Sequence, residues 1–382
     1  MFTRVLAKPS RSILLIGPRG TGKSTWIRSH FKGAPLYDLL DSRQSLRLNR
    51  DPGLLYQEAA PLAPGSWVVI DEVQKAPALL DEVHRLIEEK RLKFVLSGSS
   101  ARQLRRGGTN LLAGRAILTP FFPLVSQEVG FKFEGLRQLR YGMLPEAFLS
   151  EKPGDYLESY ASAYLQEEIK AEALTRRIGA FARFLEVAAR QNGQVTNVSG
   201  IARDAQVARQ TVDGYFQILI DTLIGAWLPA WKLKRATKQV RHPKFFFFDP
   251  GVCRALSERL PYPPTEEEAG FLFETWILGE LRAYLSYSRL GYPPHYWSSH
   301  DGVEVDFLLE TAGGFVALEV KSASRWRGAF NRGLARLRDE LGRGRVRCLG
   351  VYTGERETEC DGIRVLPWLE FLKRLWGGEI LR

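Results

Sequence analysis

Residues 12–25 read SILLIGPRGTGKST, an apolar run followed by a glycine-rich loop of the form GxxxxGK[ST] and then the start of a helix. Backbone N–H groups of such a loop surround a triphosphate, and its glycines let the phosphates approach closely. Lys23 is placed to reach the outer phosphates, and the Ser24 hydroxyl to ligate Mg²⁺. The predicted nucleotide-binding residues are Gly17, Gly20, Thr21, Gly22, Lys23, Ser24 and Thr25.

A second motif supplies the acids that this chemistry needs. Residues 67–72 read WVVIDE, an apolar strand ending in two carboxylates. In P-loop proteins such a strand presents its aspartate to Mg²⁺ and the next acid to the attacking water, which assigns these roles to Asp71 and Glu72. A third strand, at residues 94–97, ends in the polar run SGSS, where Ser97 is a candidate sensor of the γ-phosphate. These motifs predict Mg²⁺-dependent ATP hydrolysis, and the simpler alternative is a buried strand capped by surface acids.

Composition limits the cellular setting. The chain has 382 residues, enough for two or three domains, and 45% of them are hydrophobic. No apolar stretch approaches the about 18 residues that span a bilayer, and basic residues interrupt the N-terminus, which predicts a cytoplasmic protein with no membrane partner. Cys253, Cys348 and Cys360 lack CxxC spacing, so neither a zinc site nor a disulfide framework is expected.

The charge favours an anionic partner. The formal net charge is +11, and two regions carry much of it. Residues 232–244 contain six lysines and arginines with no acid, and residues 321–347 contain nine. Runs of this kind are often only solvated faces, but two of them beside a nucleotide-hydrolysing motif favour nucleic acid.

The order of the predicted elements divides the chain into four domains. Alternating strands and helices predict a parallel α/β sheet with helices on both faces over residues 1–135. A helical lid is expected at 136–180, a winged helix-turn-helix at 181–245 and a further α/β domain at 246–382. No lid arginine clearly matches a second nucleotide sensor.

Three short helical patterns follow the lid. Apolar residues repeat at helical spacing from Phe181, from Val198 and from Val212, with Gly193 ending the first helix and Thr196 or Asn197 capping the second. A tight turn at residues 206–208 makes the last two helices look like a helix-turn-helix, winged by the basic stretch after Trp231. Packing against protein is an equally open interpretation. The predicted DNA contacts are Arg209, Gln210, Lys232, Lys234, Arg235 and Lys238.

The C-terminal third carries a different pattern. Residues 303–310 (VEVDFLLE) and 315–321 (FVALEVK) predict a hairpin that brings Asp306 beside Glu319 and Lys321, with Glu274 on a preceding helix. Asp306 and Glu319 would be ligands of Mg²⁺ or Mn²⁺, with Glu274 helping to bind the metal. Lys321, which is not a ligand, would orient water against a phosphodiester or stabilise the developing charge. The order helix, three strands, helix, strand favours an ancestral nuclease fold. An edge hairpin with a surface salt bridge is the simpler alternative.

Together these stretches resemble a prokaryotic family of AAA+ ATPases in which a winged helix and a PD-(D/E)xK nuclease-like domain follow the motor. The resemblance covers nearly the whole chain. Its motifs are WVVIDEVQKAP (67–77), LSGSS (96–100) with LAGR (112–115), KFFFFDPG (244–251), FLFETWILGEL (271–281), and EVDFLLE (304–310) with LEVKS (318–322).

The resemblance implies a restriction-endonuclease-like αβββαβ fold for the C-terminal domain and a homo-oligomeric, hexameric ring for the motor. Each site of such a ring is completed by a neighbour's arginine. Arg115 of LAGR is the candidate, with Arg102, Arg105 and Arg106 as alternatives and a structural ion pair as the competing role for Arg115.

Three functions follow as hypotheses. The first is an ATPase that binds and remodels or processes DNA, with branched DNA as one candidate substrate. The second is a nucleotide-gated switch or defence protein that controls assembly with another protein, in which the nuclease-like domain only binds. The third is an active metal-dependent endonuclease regulated by the ATPase.

Overall fold

A computed structural model describes residues 2–99, 112, 114–171, 178–232 and 242–381, without the side chains of 164–171. The described chain forms two compact units. The first contains Thr3–Pro123 and Ile218–Ile224, and the second contains Leu124–Gln217 and Gly225–Arg382. This division is coarser than the four predicted domains, which stay a prediction. Across the described ranges, no helix is both long enough and apolar enough to cross a membrane.

The first unit is built on a five-stranded parallel sheet of order β2-β3-β4-β1-β5, as the alternation of strands and helices predicts. Its strands are β1 (Ile13–Ile16), β2 (Leu36–Asp38), β3 (Trp67–Asp71), β4 (Lys93–Gly98) and β5 (Ile117–Pro120). Its helices are α1 (Lys23–His30), α2 (Ser42–Arg50), α3 (Gly53–Ala59) and α4 (Leu79–Lys90).

Apolar residues alternate between the two faces of this sheet. In β1, Leu14 and Ile16 belong to one buried cluster, whereas Ile13 and Leu15 belong to another. Successive side chains of a strand point to opposite faces, so a continuous apolar run indicates a strand covered on both sides. The uninterrupted apolar sequence of β1 therefore suits its interior place in the sheet, between β4 and β5.

The second unit opens with helices. They are α5 (Arg137–Tyr141), α6 (Pro145–Leu149), α7 (Pro153–Ala171), α8 (Ile178–Arg190), α9 (Val198–Asp204), α10 (Arg209–Asp221) and α11 (Pro250–Leu256). Gly193, with φ of 77°, follows the end of α8, and Asn197 caps α9 by accepting a hydrogen bond from the Gly200 N–H. The predicted three helical segments are present. Their identity as a winged helix-turn-helix stays a prediction.

A small antiparallel sheet accompanies these helices. It pairs β6 (Gly225–Leu228) with β7 (Lys244–Phe247). The connection between the two strands contains the basic stretch that was predicted to form a wing. Of its predicted DNA contacts, Lys232 is described, whereas Lys234, Arg235 and Lys238 lie outside the described residues.

The C-terminal sheet has six strands in the order β12-β13-β11-β10-β9-β8. The strands are β8 (His295–Ser298), β9 (Glu304–Thr311), β10 (Gly314–Lys321), β11 (Val346–Tyr352), β12 (Thr358–Cys360) and β13 (Ile363–Pro367). The helices are α12 (Glu266–Tyr287), α13 (Arg332–Leu341) and α14 (Trp368–Trp376). From α12 to β11 the elements follow the predicted order of helix, three strands, helix and strand.

Asp249, in the motif KFFFFDPG, has a structural role. Its carboxylate caps α11 by accepting from the Val252 N–H at 3.0 Å, and it accepts from the Met143 N–H, just after α5, at 2.6 Å. A Cβ at Gly142, where φ is 70°, would lie 1.9 Å from Asp249 Oδ1. Burial raises the pKa of this carboxyl from 3.8 to about 6.

Asp249→Asn should change how stability depends on pH. Between pH 3.8 and about 6 the folded protein binds more protons at Asp249 than the unfolded chain. The stability that this group contributes is therefore complete below pH 3.8 and falls by up to about 3 kcal/mol as pH rises through about 6. In urea unfolding, the free energy of unfolding of the wild type should fall between pH 4.5 and pH 8 relative to that of Asp249→Asn. Exposed Asp155→Asn is the control. Parallel pH profiles for the wild type and Asp249→Asn would contradict the assignment.

Candidate functional site

The loop at residues 17–22 connects β1 to α1 and depends on glycine. Gly20 and Gly22 have φ angles of 74° and 91°, which other residues rarely adopt. Gly17 is limited by space, because a Cβ there would lie 2.2 Å from the carbonyl oxygen of Phe121. These three predicted positions therefore require glycine for the shape of the loop.

The side chain of Lys23 lies within this loop. Its ammonium donates to the carbonyl oxygens of Gly17 at 2.7 Å and Pro18 at 3.0 Å, and the residue is only 5% exposed. Thr21 is buried, and its hydroxyl donates to the same Pro18 oxygen at 2.9 Å. Phosphate oxygens are stronger partners for an ammonium than neutral carbonyls. The loop thus holds a cation where an anion is expected to bind.

Two further residues of the predicted nucleotide-binding motif, Ser24 and Thr25, lie in the first turn of α1. Ser24 is half-buried and Thr25 is exposed. This end of a helix carries partial positive charge and unpaired backbone N–H groups, which favour a phosphate.

The predicted acids follow β3, next to β4 in the sheet. Asp71 is buried, and its Oδ1 accepts a hydrogen bond from the hydroxyl of Ser97 at the end of β4. Glu72 has φ of 57°, and its backbone N–H donates to the same hydroxyl at 3.3 Å. Ser97, predicted as a phosphate sensor, therefore positions both acidic residues. A direct role toward phosphate stays a prediction.

Gln74 is a residue that sequence reasoning missed. Its amide donates to the carboxylate of Glu72 and, at 3.1 Å, to the hydroxyl of Ser99, which itself donates to Glu72 at 3.3 Å. The carboxylate expected to polarise water is thus held by two protein donors. Gln74 belongs to the motif WVVIDEVQKAP, but its spacing from Glu72 does not reveal this contact.

Arg4 is a second residue that the sequence did not reveal. Its guanidinium donates to the carbonyl oxygens of Thr21 at 2.6 Å and Phe122 at 2.7 Å, and it stacks 4.2 Å from the ring centre of Phe121. Arg4 therefore links the segment before β1 to the loop and to the chain after β5. A lone arginine near a terminus carries no pattern that could predict this.

Arg115, the predicted arginine finger, forms an ion pair with Glu88 of α4 and keeps 33% of its side chain exposed. That geometry agrees with the competing structural role, and the role in a neighbouring site stays a prediction. The alternatives Arg102, Arg105 and Arg106 lie outside the described residues.

The predicted hairpin at β9 and β10 brings its charged residues together. Leu318 lies opposite Phe307, which places Glu319 beside Asp306. Lys321 Nζ lies 3.4 Å from Asp306 Oδ2 and 2.6 Å from Glu319 Oε1, and Asp306 Oδ2 also accepts from the Val320 N–H at 2.7 Å. These carboxylates are buried, unlike those of a surface salt bridge.

Glu274 joins this cluster from α12. Burial, and next to it the charge of Asp306, raises the pKa of the Glu274 carboxyl above its usual range. The same two causes raise the pKa of Glu319. Although burial lowers the pKa of Lys321, the carboxylates of Asp306 and Glu319 raise it more.

Lys244 is a further member that sequence reasoning placed elsewhere. It was counted in a basic, solvent-facing stretch, yet it is only 5% exposed and pairs with Glu304 at 2.9 Å. Burial lowers its pKa, but Glu274, Asp306 and Glu304 raise it to above the ordinary lysine value. Lys244 therefore belongs to the charge cluster.

The predicted Mg²⁺ or Mn²⁺ site stays a prediction, and the arrangement of its residues gives it no support. Among the described residues, no three His, Cys, Asp or Glu side chains are arranged to hold a metal ion. Glu319 Oε2 is buried without a hydrogen-bond partner, but Oε1 of the same carboxylate is bound to an ammonium. The cluster of Glu274, Asp306, Glu319, Lys321 and Lys244 therefore does not fit a resident divalent metal.

Two exposed regions suit an anionic partner. Arg209 and Gln210 are exposed at the start of α10, as predicted for DNA contacts. A recess of about 360 Å³ beside β11 and β13 is lined by five arginines and two glutamates. The arginines are Arg338, Arg343, Arg347, Arg364 and Arg374.

Comparison with known proteins supports the class of the domain that holds the first site. A family model described as an AAA domain matches residues 9–130, and two models of domains of unknown function, DUF8612 and DUF4143, match residues 136–262 and 269–371. The chain is similar to uncharacterized proteins of Mycobacterium bovis and Mycobacterium tuberculosis. Each is 27% identical over 321 residues, which are 82% of this chain and 70% of the relative. These matches support a P-loop AAA-type ATPase domain and leave the C-terminal activity open.

Solved structures resemble the chain only distantly. The ORC1 protein of Aeropyrum pernix in complex with DNA is 14% identical, with a TM-score of 0.27 over 66% of this chain and 87% of that one. A signal transduction ATPase with a tetratricopeptide repeat sensor from Pyrococcus horikoshii is 13% identical, with a TM-score of 0.23 over 74% and 46%. Scores this low carry no argument about the function of this chain.

Gln74→Met should raise ATP turnover by about fivefold. The substitution keeps the side-chain volume but removes one donor to Glu72, and one net hydrogen bond is worth about 1 kcal/mol. Glu72 would then reach the attacking water more often, with KM for ATP unchanged. Steady-state phosphate release measures this, with exposed Gln127→Met as control. A fall in turnover would mean that Gln74 orients Glu72 for catalysis.

Proposed function

We propose that this protein is a Mg²⁺-dependent ATPase that binds DNA. The observation that carries the ATPase assignment is the junction at the ends of β1, β3 and β4. There a glycine loop containing Lys23, the buried carboxylate of Asp71 and the adjacent Glu72 follow parallel strands of one sheet. Ligands of open parallel sheets bind beyond the carboxyl ends of the strands.

Each residue has a defined part in hydrolysis. Ser24 and Asp71 would hold Mg²⁺, which neutralises charge on the phosphoryl group during its transfer. Lys23 exchanges its two loop carbonyls for phosphate oxygens, and Ser97 keeps Asp71 oriented. The Glu72 carboxylate gives up its hydrogen bonds from Gln74 and Ser99 and accepts one from the attacking water.

Lys23→Ala should lower ATP turnover at least about 100-fold, because the loop loses the one cation that Gly17 and Pro18 hold for the phosphates. The exposed lysine of the same unit, Lys75→Ala, is the matched control and should keep normal turnover. Phosphate release at saturating ATP is the measurement. Unchanged turnover in Lys23→Ala would overturn the ATPase assignment.

Charge and exposure support the DNA part of the proposal. The formal net charge is +11, and five arginines and two glutamates line the recess. Arg343, Arg364 and Arg374 also pair with carboxylates beside it, which leaves Arg338 and Arg347 as the candidate phosphate contacts. Arg338 Nε is buried there without a hydrogen-bond partner, and Arg347 is exposed. Phosphate groups of a nucleic-acid backbone fit such donors, and that contact requires no base sequence.

Neutralising the recess should weaken DNA binding in a salt-dependent way. Arg338→Gln with Arg347→Gln removes two positive charges, so the slope of log affinity against log salt should become shallower by about 2. Fluorescence anisotropy with a labelled duplex, from low to moderate salt, measures both affinity and slope. Arg43→Gln with Arg50→Gln makes the same charge change on α2. Equal slopes in both double variants would exclude the recess as the DNA-binding surface.

The ring and its arginine finger are the oligomeric part of the proposal. In a hexamer, Arg115 would exchange Glu88 for the γ-phosphate of a neighbouring subunit. In the presence of ATP, the Arg115→Ala protein should therefore assemble normally, as measured by light scattering. The assembled variant should hydrolyse ATP slowly. Normal hydrolysis in the assembled state would leave Arg115 as a structural partner of Glu88.

A nucleotide-gated switch is the second candidate function. It is favoured by the contacts of Gln74 and Ser99, which hold Glu72 and suit slow turnover. A switch would hydrolyse ATP at the same low rate with four-way-junction DNA, linear duplex or no DNA. Stimulation by either DNA would favour the first proposal, and stronger stimulation by the junction would indicate a branched substrate.

A further inference from the structure

The charge cluster in the C-terminal sheet contains a cation that its D…ExK pattern does not include. Lys244 is the first residue of β7, outside the hairpin that supplies Asp306, Glu319 and Lys321. Its side chain is nevertheless buried, like those of Asp306 and Glu319, and its ammonium lies 2.9 Å from Oε2 of Glu304, two residues before Asp306 on β9.

The position of Lys244 is fixed from several sides. Its backbone pairs with Leu228 in the small sheet and with Val195 in an isolated bridge. Its ammonium also lies 5.2 Å from the ring centre of Tyr296, a favourable cation–π distance. Such a side chain cannot move aside without leaving a buried charge unpaired, which is costly.

The two lysines together compensate the buried acids. Lys321 contacts Asp306 and Glu319, and Lys244 contacts Glu304 while Glu274 and Asp306 act on it electrostatically. A divalent cation would have to occupy the same carboxylates. It would then lie among two ammonium groups, which it repels in a poorly solvated site.

We propose that Lys244 takes the place of a divalent metal in this cluster, so that the C-terminal domain is a metal-free binding module and not a nuclease. The cluster then serves as an ionic joint between β7, which follows the three-helix segment, and the carboxylates of α12 and β9. This inference does not depend on ATP hydrolysis.

Binding of Mn²⁺ to the nucleotide-free full-length protein tests the inference, because electron paramagnetic resonance counts the unbound ion. The Asp71→Asn background removes the metal ligand predicted in the other unit. In that background the protein with Lys244 intact should bind no stoichiometric Mn²⁺ below about 1 mM. Lys244→Gln in the same background should bind one ion with a Kd at least about tenfold below that concentration. Adding Asp306→Asn to Lys244→Gln should abolish the gain.

Lys244→Arg is the matched control, since it keeps the cation and should stay without Mn²⁺. One Mn²⁺ bound by the protein with Lys244 intact, and lost in Asp306→Asn, would overturn the proposal even if Lys244→Gln does not fold. A folded Lys244→Gln protein that binds no Mn²⁺ would also overturn it, because Lys244 would then not be what excludes the metal. ATP turnover, measured separately with Asp71 intact, reports on the proposed function alone.

Discussion

The parallel pairing of β1, β3 and β4 is the constraint on which the nucleotide site depends. Parallel strands end at the same edge of a sheet, so the glycine loop after β1 and the acids after β3 meet there only if this order is kept. The strands are covered on both faces, and their apolar sequences provide the burial that holds the register. Ser97 then connects Asp71 to the backbone of Glu72 across β3 and β4.

Groups proposed to act in hydrolysis have hydrogen-bond partners within the protein. Lys23 is satisfied by loop carbonyls and Glu72 by Gln74 and Ser99. Each contact is a modest hydrogen bond that a phosphate or a water can replace. Nucleotide binding can therefore shift these side chains without rebuilding the sheet, which suits a regulated ATPase.

Sequence patterns predicted the local elements well because they follow from periodicity and motif spacing. The P-loop, the strand before Asp71 and the hairpin containing Asp306 and Glu319 are all present. Contacts between residues distant in sequence were missed. Arg4 belongs to no pattern, and the motif that contains Gln74 does not reveal its contact with Glu72. Lys244 was taken for a solvent-facing residue because a basic run does not reveal which of its members is buried.

The buried charge cluster shows why a motif alone does not establish an activity. Asp306, Glu319 and Lys321 have the D…ExK spacing, and a lysine from another sheet, Lys244, pairs with Glu304 on the same strand as Asp306. The ammonium of Lys321 contacts both carboxylates, and the metal site expected from the spacing stays a prediction.

The most direct test of the central claim compares ATP binding and ATP hydrolysis in Glu72→Gln. A fluorescent ATP analogue measures affinity, and phosphate release measures turnover in the same preparation. If Glu72 polarises the attacking water, the variant should bind ATP with unchanged affinity and hydrolyse it at least about 100-fold more slowly than the wild type. Equal turnover by the two proteins would contradict the assignment of this sheet edge as the hydrolytic site.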